Sequence, residues 1–402
     1  MTASEQHRRA SSRSLSIFAS LAMSFAVGWA YANVSAVAPE LAEDYGVSVG
    51  AIGYLTMIAL VVHALLQLPA GRALDRFGTR SVGAAGLIVI ALANLLALAG
   101  SSFWLALAGR TILGVGSSLV YLAGLDLVRR IDGSPRLLTM FGVVNGASMG
   151  IALLVIPQLD PMLGWRGPFL TSLVLSAVAL VATVVGPELA GSAATREVQR
   201  RAGATRTATM VLLRDPEIRR LSAINLSASA FSPVISSWIV TLLVEAGGYS
   251  TAGAGAIGSI SLLGLVASRP LAGWFIHVWP QRVREGIVAC TLMGVGGTVG
   301  LALVGPLWLA ILGSALVGLA TGIPWTYVFW RLPSVRPEAA GAALAIVNAL
   351  PLFVAIAGIP LIGVTFSLSD NGRTGFLIMA VLWGLLVFVL PARGRGPGAE
   401  PG

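Results

Sequence analysis

His63 and Gln67 stand four residues apart inside "IGYLTMIALVVHALLQLPA", where almost every other side chain is apolar. Four residues is close to one helical turn, so on a helix the two share a face. Histidine is the side chain that changes charge near neutral pH unperturbed. This pair can therefore carry a proton through an apolar segment, or His63 can sit neutral and bonded to a neighbouring helix. Arg110 lies in a second apolar run, "FWLALAGRTILGVG". An arginine at the centre of a membrane helix costs about 2.5–3.5 kcal/mol on insertion scales, so it faces a cavity and serves function by default. A structural arginine bonded to span carbonyls is the alternative. Asn145 and Asn348 can reach a solute or join helices. Tyr31, Trp238 and Trp325 are candidate cavity walls, although aromatic residues also anchor spans at the interface.

What the sequence lacks also bounds the chemistry. No carboxylate lies deep in an apolar run; Asp126 and Glu245 fall near run ends. One buried arginine without a matching acid favours an anionic or neutral solute over a cation. The histidines, 7, 63 and 277, are scattered, and no H-E-x-x-H or paired-carboxylate constellation occurs, so no metal centre and no enzyme activity are expected. There is no lysine and no G-x-x-x-x-G-K-[ST] loop. Direct ATP drive within the chain is excluded, and no cofactor is expected.

These residues must be held by membrane helices. The chain of 402 residues is 56% hydrophobic and only 11% charged, with mean hydropathy +0.85. Soluble domains carry about 25% charged residues, so this chain cannot cover a soluble surface. A hydrocarbon core about 30 Å thick needs about 20 apolar residues per helix. Counting on that basis gives twelve spans: 15–38, 50–72, 81–100, 103–127, 137–158 and 167–187, then 221–244, 252–275, 286–305, 307–330, 339–364 and 374–391. Between the two sets lies a polar, basic linker, 188–220, expected to be a cytoplasmic tether. Short tails, 1–14 and 392–402, complete the chain.

The charge of +9 comes from arginine alone. Basic residues that bind nucleic acid cluster on one face, whereas these sit in short loops, so no nucleic-acid partner is expected. Alternate loops hold 22 of the 26 Arg, which orients both termini to the cytoplasm of a plasma or inner membrane. Arg8-Arg9 is not a cleaved twin-arginine signal, because eleven further spans follow the first. The single cysteine, Cys290, cannot form an intrachain disulfide.

The halves repeat. "VNGASMGIALLVIP" begins at Val144 and "VNALPLFVAIAGIP" at Val347, an offset of 203. "GRALDRFGTR" begins at Gly71 and "GWFIHVWPQR" at Gly273, an offset of 202 that Arg129 and Arg331 share. Internal repeats of this kind characterise secondary transporters, whose solute site lies near the bilayer midplane. Gly142, Gly146 and Gly150 form a small-xxx-small row in span 5, a pattern for close helix packing.

Gly71, Asp75, Arg76, Gly78 and Arg80 fit G-x-x-x-D-R-x-G-x-R, between spans 2 and 3. The loop resembles the signature loop of the major facilitator superfamily. "RTILGVG" at 110–116 and "GWRGPF" at 164–169 resemble that family's marks in span 4 and at the start of span 6. The resemblance covers the whole chain. It implies an all-α integral membrane fold of two six-helix bundles related by a pseudo-two-fold axis, working as a monomer in the lipid bilayer. It also implies a conformational lock: Asp75 would face the dipole-positive start of span 11, and Arg76 or Arg80 would pair with Asp126. The second-half loop is broken, with Val278 where the arginine would stand.

The expected function is secondary transport of a small-molecule substrate by alternating access, coupled to protons through His63 or the Arg110 region. Drug or metabolite efflux on the same fold is the alternative. The Gly-Pro signature of drug/proton antiporters is absent from span 5, which weakens it. A transporter-like membrane sensor is a further alternative, for which only the broken second loop speaks.

Overall fold

A computed structural model describes residues 3–131, 135–186, 212–335 and 340–390. Most of the linker expected at 188–220 and the tail at 392–402 lie outside these residues. Among the described residues every regular element is helical. This is what lipid requires of a spanning segment, because a helix satisfies its backbone groups internally.

The chain divides into two compact units, Met1–Glu197 and Val198–Gly402. The first contains α1 (Ala3–Ala32), α2 (Ala38–Tyr45), α3 (Val49–Phe77), α4 (Thr79–Ala97), α5 (Phe103–Ile131), α6 (Pro135–Leu163) and α7 (Gly167–Val185). The second contains α8 (Pro216–Leu226), α9 (Ser232–Glu245), α10 (Thr251–Val278), α11 (Val283–Ala302), α12 (Leu307–Leu319), α13 (Gly322–Val335), α14 (Ala340–Thr365) and α15 (Arg373–Gly384). A π-helical turn, Ser227–Phe231, joins α8 to α9 into one span.

Ten segments are long and apolar enough to cross a membrane by length and composition. One of them, Arg136–Val185, holds both α6 and α7, and the shorter apolar stretch Arg373–Val389 stands beside the ten. Counted this way, each of the twelve expected spans has its helix.

Two boundaries differ from expectation. The first helix begins at Ala3, so the expected tail 1–14 is mostly helix. The charged decapeptide is not a loop. α3 runs on to Phe77, and the chain breaks at Gly78 alone, whose φ of 82° belongs to the left-handed region that favours glycine, before α4 starts at Thr79. An apolar count measures membrane thickness, whereas a helix continues into water wherever its polar residues allow.

Each unit has its own core. In the first, Met23, Val27, Leu87, Ile90, Leu113 and Val120 are buried together. In the second, Ile218, Leu221, Ile287, Val328, Leu332 and Val347 are. Within the first unit α5 packs on α3, α4 and α1, and α1 also packs on α6 and α7. This brings the middles of α3 and α5 beside the end of α1.

Candidate functional site

The polar side chains of the first unit converge where those three helices meet. Tyr31 from α1 and His63 from α3 both reach Ser117 on α5: the phenol oxygen lies 3.1 Å from Ser117 Oγ, and His63 Nδ1 also lies 3.1 Å from it. His63 Nε2 stands 3.2 Å from the Gln67 amide nitrogen, one turn along α3. The rings of Tyr31 and Tyr121 meet the imidazole edge-on, at 5.7 and 5.9 Å. Ser117 is fully buried, His63 and Tyr31 are half-buried and Gln67 is exposed. The result is a hydrogen-bonded chain with one exposed end.

Arg110 lies two turns before Ser117 on α5 and is 1% exposed. Its Nε donates to the Leu55 carbonyl at 3.2 Å and its Nη1 to Asn33 Oδ1 at 3.4 Å, while Nη2 has no partner among the described residues. Asn33 Nδ2 in turn donates to the Pro168 carbonyl at 2.7 Å and to Ser172 Oγ at 2.9 Å. Arg110 thus ties α3 and α5, through Asn33, to α7. That geometry matches a structural arginine bonded to a span carbonyl, yet one nitrogen of the fork remains unspoken for.

Other expected site residues turn inward to the protein. Trp238 is 2% exposed, its indole donates to the Ile359 carbonyl at 2.8 Å, and its ring packs on Phe366. It is a helix-joining residue and not a cavity wall; apolar bulk alone does not separate the two. Asn145 Nδ2 donates to the Ser24 carbonyl of α1 at 2.9 Å. In the second unit Asn225 of α8 donates to Asn348 Oδ1 at 3.2 Å and to the Val347 carbonyl at 3.2 Å. Both repeat asparagines therefore join the first and fifth spans of their own unit. The expected glycine packing also shifts partner. A Cβ on Gly142 would meet nothing, whereas one on Gly28 of α1 would collide with the Asn145 carbonyl and the Ser148 hydroxyl. Trp325 is half-buried, and the Arg269 guanidinium lies 4.3 Å over its ring.

The lock residues lie at the far end of α3 and α5. Asp75 and Arg76 are exposed, and Arg76 stacks on Phe77. Gly71 is inside α3 with open space where a Cβ would stand. Within this unit Asp126 pairs with Arg130, at 2.5 Å, and accepts from the Thr79 hydroxyl. It does not pair with Arg76 or Arg80, and Arg80 donates instead to the Val184 carbonyl. Arg130 lies one turn away on the same helix. Here α1, α4, α5 and α7 line a small pocket bounded by Ser16, Thr79, Arg80, Arg130 and Thr183 among others. It does not include the His63 chain.

Sequence reasoning missed Ser117, Asn33 and Arg130. A signal for Ser117 was present: it lies seven residues after Arg110, two turns along one face. No cluster of metal-ligating side chains occurs among the described residues.

The Major Facilitator Superfamily family model matches residues 20–350. The chain is 31% identical over 129 residues to the multidrug resistance protein MdtL of Klebsiella pneumoniae, 31% of either chain. It is 25% identical over 179 residues to the inner membrane transport protein YajR of Escherichia coli, 44% of this chain and 38% of that one. It is 23% identical over 164 residues to the quinolone resistance protein NorB of Staphylococcus aureus, 40% of this chain and 35% of that one. These matches span about a third of the relatives' length. Among solved structures, the nucleoside transporter NupG superposes with a TM-score of 0.72 at 14% identity, covering 93% of this chain and 97% of that one.

Proposed function

Since the chain belongs to the major facilitator superfamily, we propose that it moves a small neutral or anionic solute across the plasma or inner membrane by alternating access, driven by protons, with both termini in the cytoplasm and as a monomer. The observation that carries this reading is the chain from Gln67 through His63 and Ser117 to Tyr31, a polar track with one exposed end in a largely apolar bundle. Membrane proteins keep ionisable groups at such depth for pathways and relays. The buried Arg110, with one unpartnered nitrogen, supplies positive charge beside it.

Purified protein in liposomes under an imposed pH gradient tests this reading. Radiolabelled uridine, benzoate and the quinolone norfloxacin serve as probes. Gradient-driven accumulation of benzoate or uridine that a protonophore abolishes supports it. Movement of all three that ignores the gradient overturns the proton coupling.

A second reading is drug efflux. Several curated relatives are named as resistance proteins, and proton-driven expulsion of norfloxacin alone would select it.

A further inference from the structure

We propose that Nε2 of His63 is the proton-binding atom of the first unit, and that the Gln67 amide turns over when that atom is protonated, switching the group it offers to solute from an acceptor to a donor. The inference rests on the proton-coupled reading above and assigns it to atoms.

The argument is one of donors and acceptors. Ser117 Oγ lies 3.1 Å from each of three partners: the Gly114 carbonyl, the Tyr31 hydroxyl and His63 Nδ1. A serine hydroxyl has one proton and two lone pairs. A carbonyl only accepts, and we assign the serine proton to Gly114. Tyr31 O–H and His63 Nδ1–H then both donate into Ser117 Oγ. That assignment puts the proton of the neutral ring on Nδ1. The lone pair is left on Nε2, where the Gln67 amide NH2 donates at 3.2 Å. All four bonds are then satisfied at once.

A second proton has one place to go. Nδ1 already carries its hydrogen, and Nε2 faces the exposed Gln67. When a hydronium ion gives its proton to the Nε2 lone pair, an O–H bond breaks, an N–H bond forms, water is left behind and the ring gains one positive charge. Nε2–H is then a donor, and the facing amide must present its carbonyl oxygen. The amide nitrogen and oxygen are nearly the same size, so the side chain turns over within the same space. Before protonation Gln67 holds its oxygen outward; afterwards it holds its NH2 outward. A solute bearing a carboxylate, phosphate or carbonyl thus binds the protonated form better. By linkage such a solute also promotes protonation, the sense that symport needs.

The groups around the ring leave this logic intact. Tyr31 comes from α1 and Tyr121 from α5, both edge-on. Arg110, also on α5, interacts electrostatically with Tyr31. On α3 the next charges are Arg72, Asp75 and Arg76; on α4, which packs on α3, the charge is Arg80. The acids of α2, Glu40, Glu43 and Asp44, belong to the opposite end of α3. Among the described residues no carboxylate is hydrogen-bonded to His63.

Nitrogen-15 NMR of the full-length, histidine-labelled protein in nanodiscs reads the ring directly, with His63→Asn assigning its signals. The expected result is the Nδ1–H tautomer above the titration. Gln67→Glu, an acceptor of the same shape, should raise the pH of proton uptake by about one unit or more. Ser117→Ala should move the neutral ring toward the Nε2–H tautomer. An Nε2–H tautomer in the unsubstituted protein, or no change with Gln67→Glu, overturns the inference. If the ring behaves as expected but transport in liposomes ignores the pH gradient, the proton-coupled reading fails instead.

Discussion

Arg130 holds Asp126 at 2.5 Å, one turn back on α5, and the carboxylate is almost wholly buried. Asp126 also accepts from Thr79 at the start of α4, so this acid fastens two helices. Removing one partner of a buried pair leaves the other uncompensated, at about 3–5 kcal/mol. Asp126→Ala should therefore destabilise the detergent-solubilised protein by about 3 kcal/mol. Arg80→Ala, which loses a bond to a carbonyl at a half-exposed site, should cost about 1 kcal/mol. Denaturant unfolding compares the two, and equal losses would contradict the pairing.

Arg110 bears on both folding and function. Arg110→Met leaves the Leu55 carbonyl and Asn33 Oδ1 without their donor, so the variant should melt below the parent, by about 1–3 kcal/mol. The same variant should also lose transport, because the buried, unpartnered Nη2 and its charge disappear. Scanning fluorimetry and liposome uptake on one preparation check both. A destabilised variant that transports normally would reduce Arg110 to a strut.

Gly28 and Gly142 make opposite predictions from one residue type. A methyl group on Gly28 meets the Ser148 hydroxyl and the Asn145 carbonyl, which cannot retreat without moving α6. Overpacking of this kind costs about 1–3 kcal/mol, and Gly28→Ala should melt lower. Gly142→Ala fills open space and should stay within about 0.5 kcal/mol of the parent.

Asp370 gives a pH dependence in the loop between α14 and α15. The Thr374 hydroxyl and backbone amides, that of Thr374 at 2.7 Å among them, donate to its carboxylate and hold its pKa below the ordinary value. A depressed carboxylate contributes stability that is present above its unfolded value, about 3.9. That contribution is lost as pH falls through the folded value. Protection factors at residues 367–374, with exchange corrected for its intrinsic pH dependence, should be highest at neutral pH and fall below about pH 4. In Asp370→Asn they should be lower at neutral pH and respond less to acid.

The spans were legible because bilayer thickness imposes a length that any apolar count recovers. The single-residue break at Gly78 was not, since the charges that mark the membrane surface do not stop a helix. Composition placed His63, Gln67 and Arg110 as costly residues, and the structure gathers the first two into one chain with Ser117. It could not tell that Trp238 points between helices, because an indole suits a cavity, a helix contact or the membrane interface equally well. The partner of Asp126 was misjudged by looking across the loop, when the i,i+4 neighbour Arg130 stood on the same helix.

The ties between first and fifth spans exist in both units with donor and acceptor exchanged. In one the fifth-span Asn145 gives its amide hydrogens to the first span; in the other Asn225 on the first span gives them to the fifth. Either helix can supply the bridge, so a tie between first and fifth spans does not need the same residue at matching places in the two units.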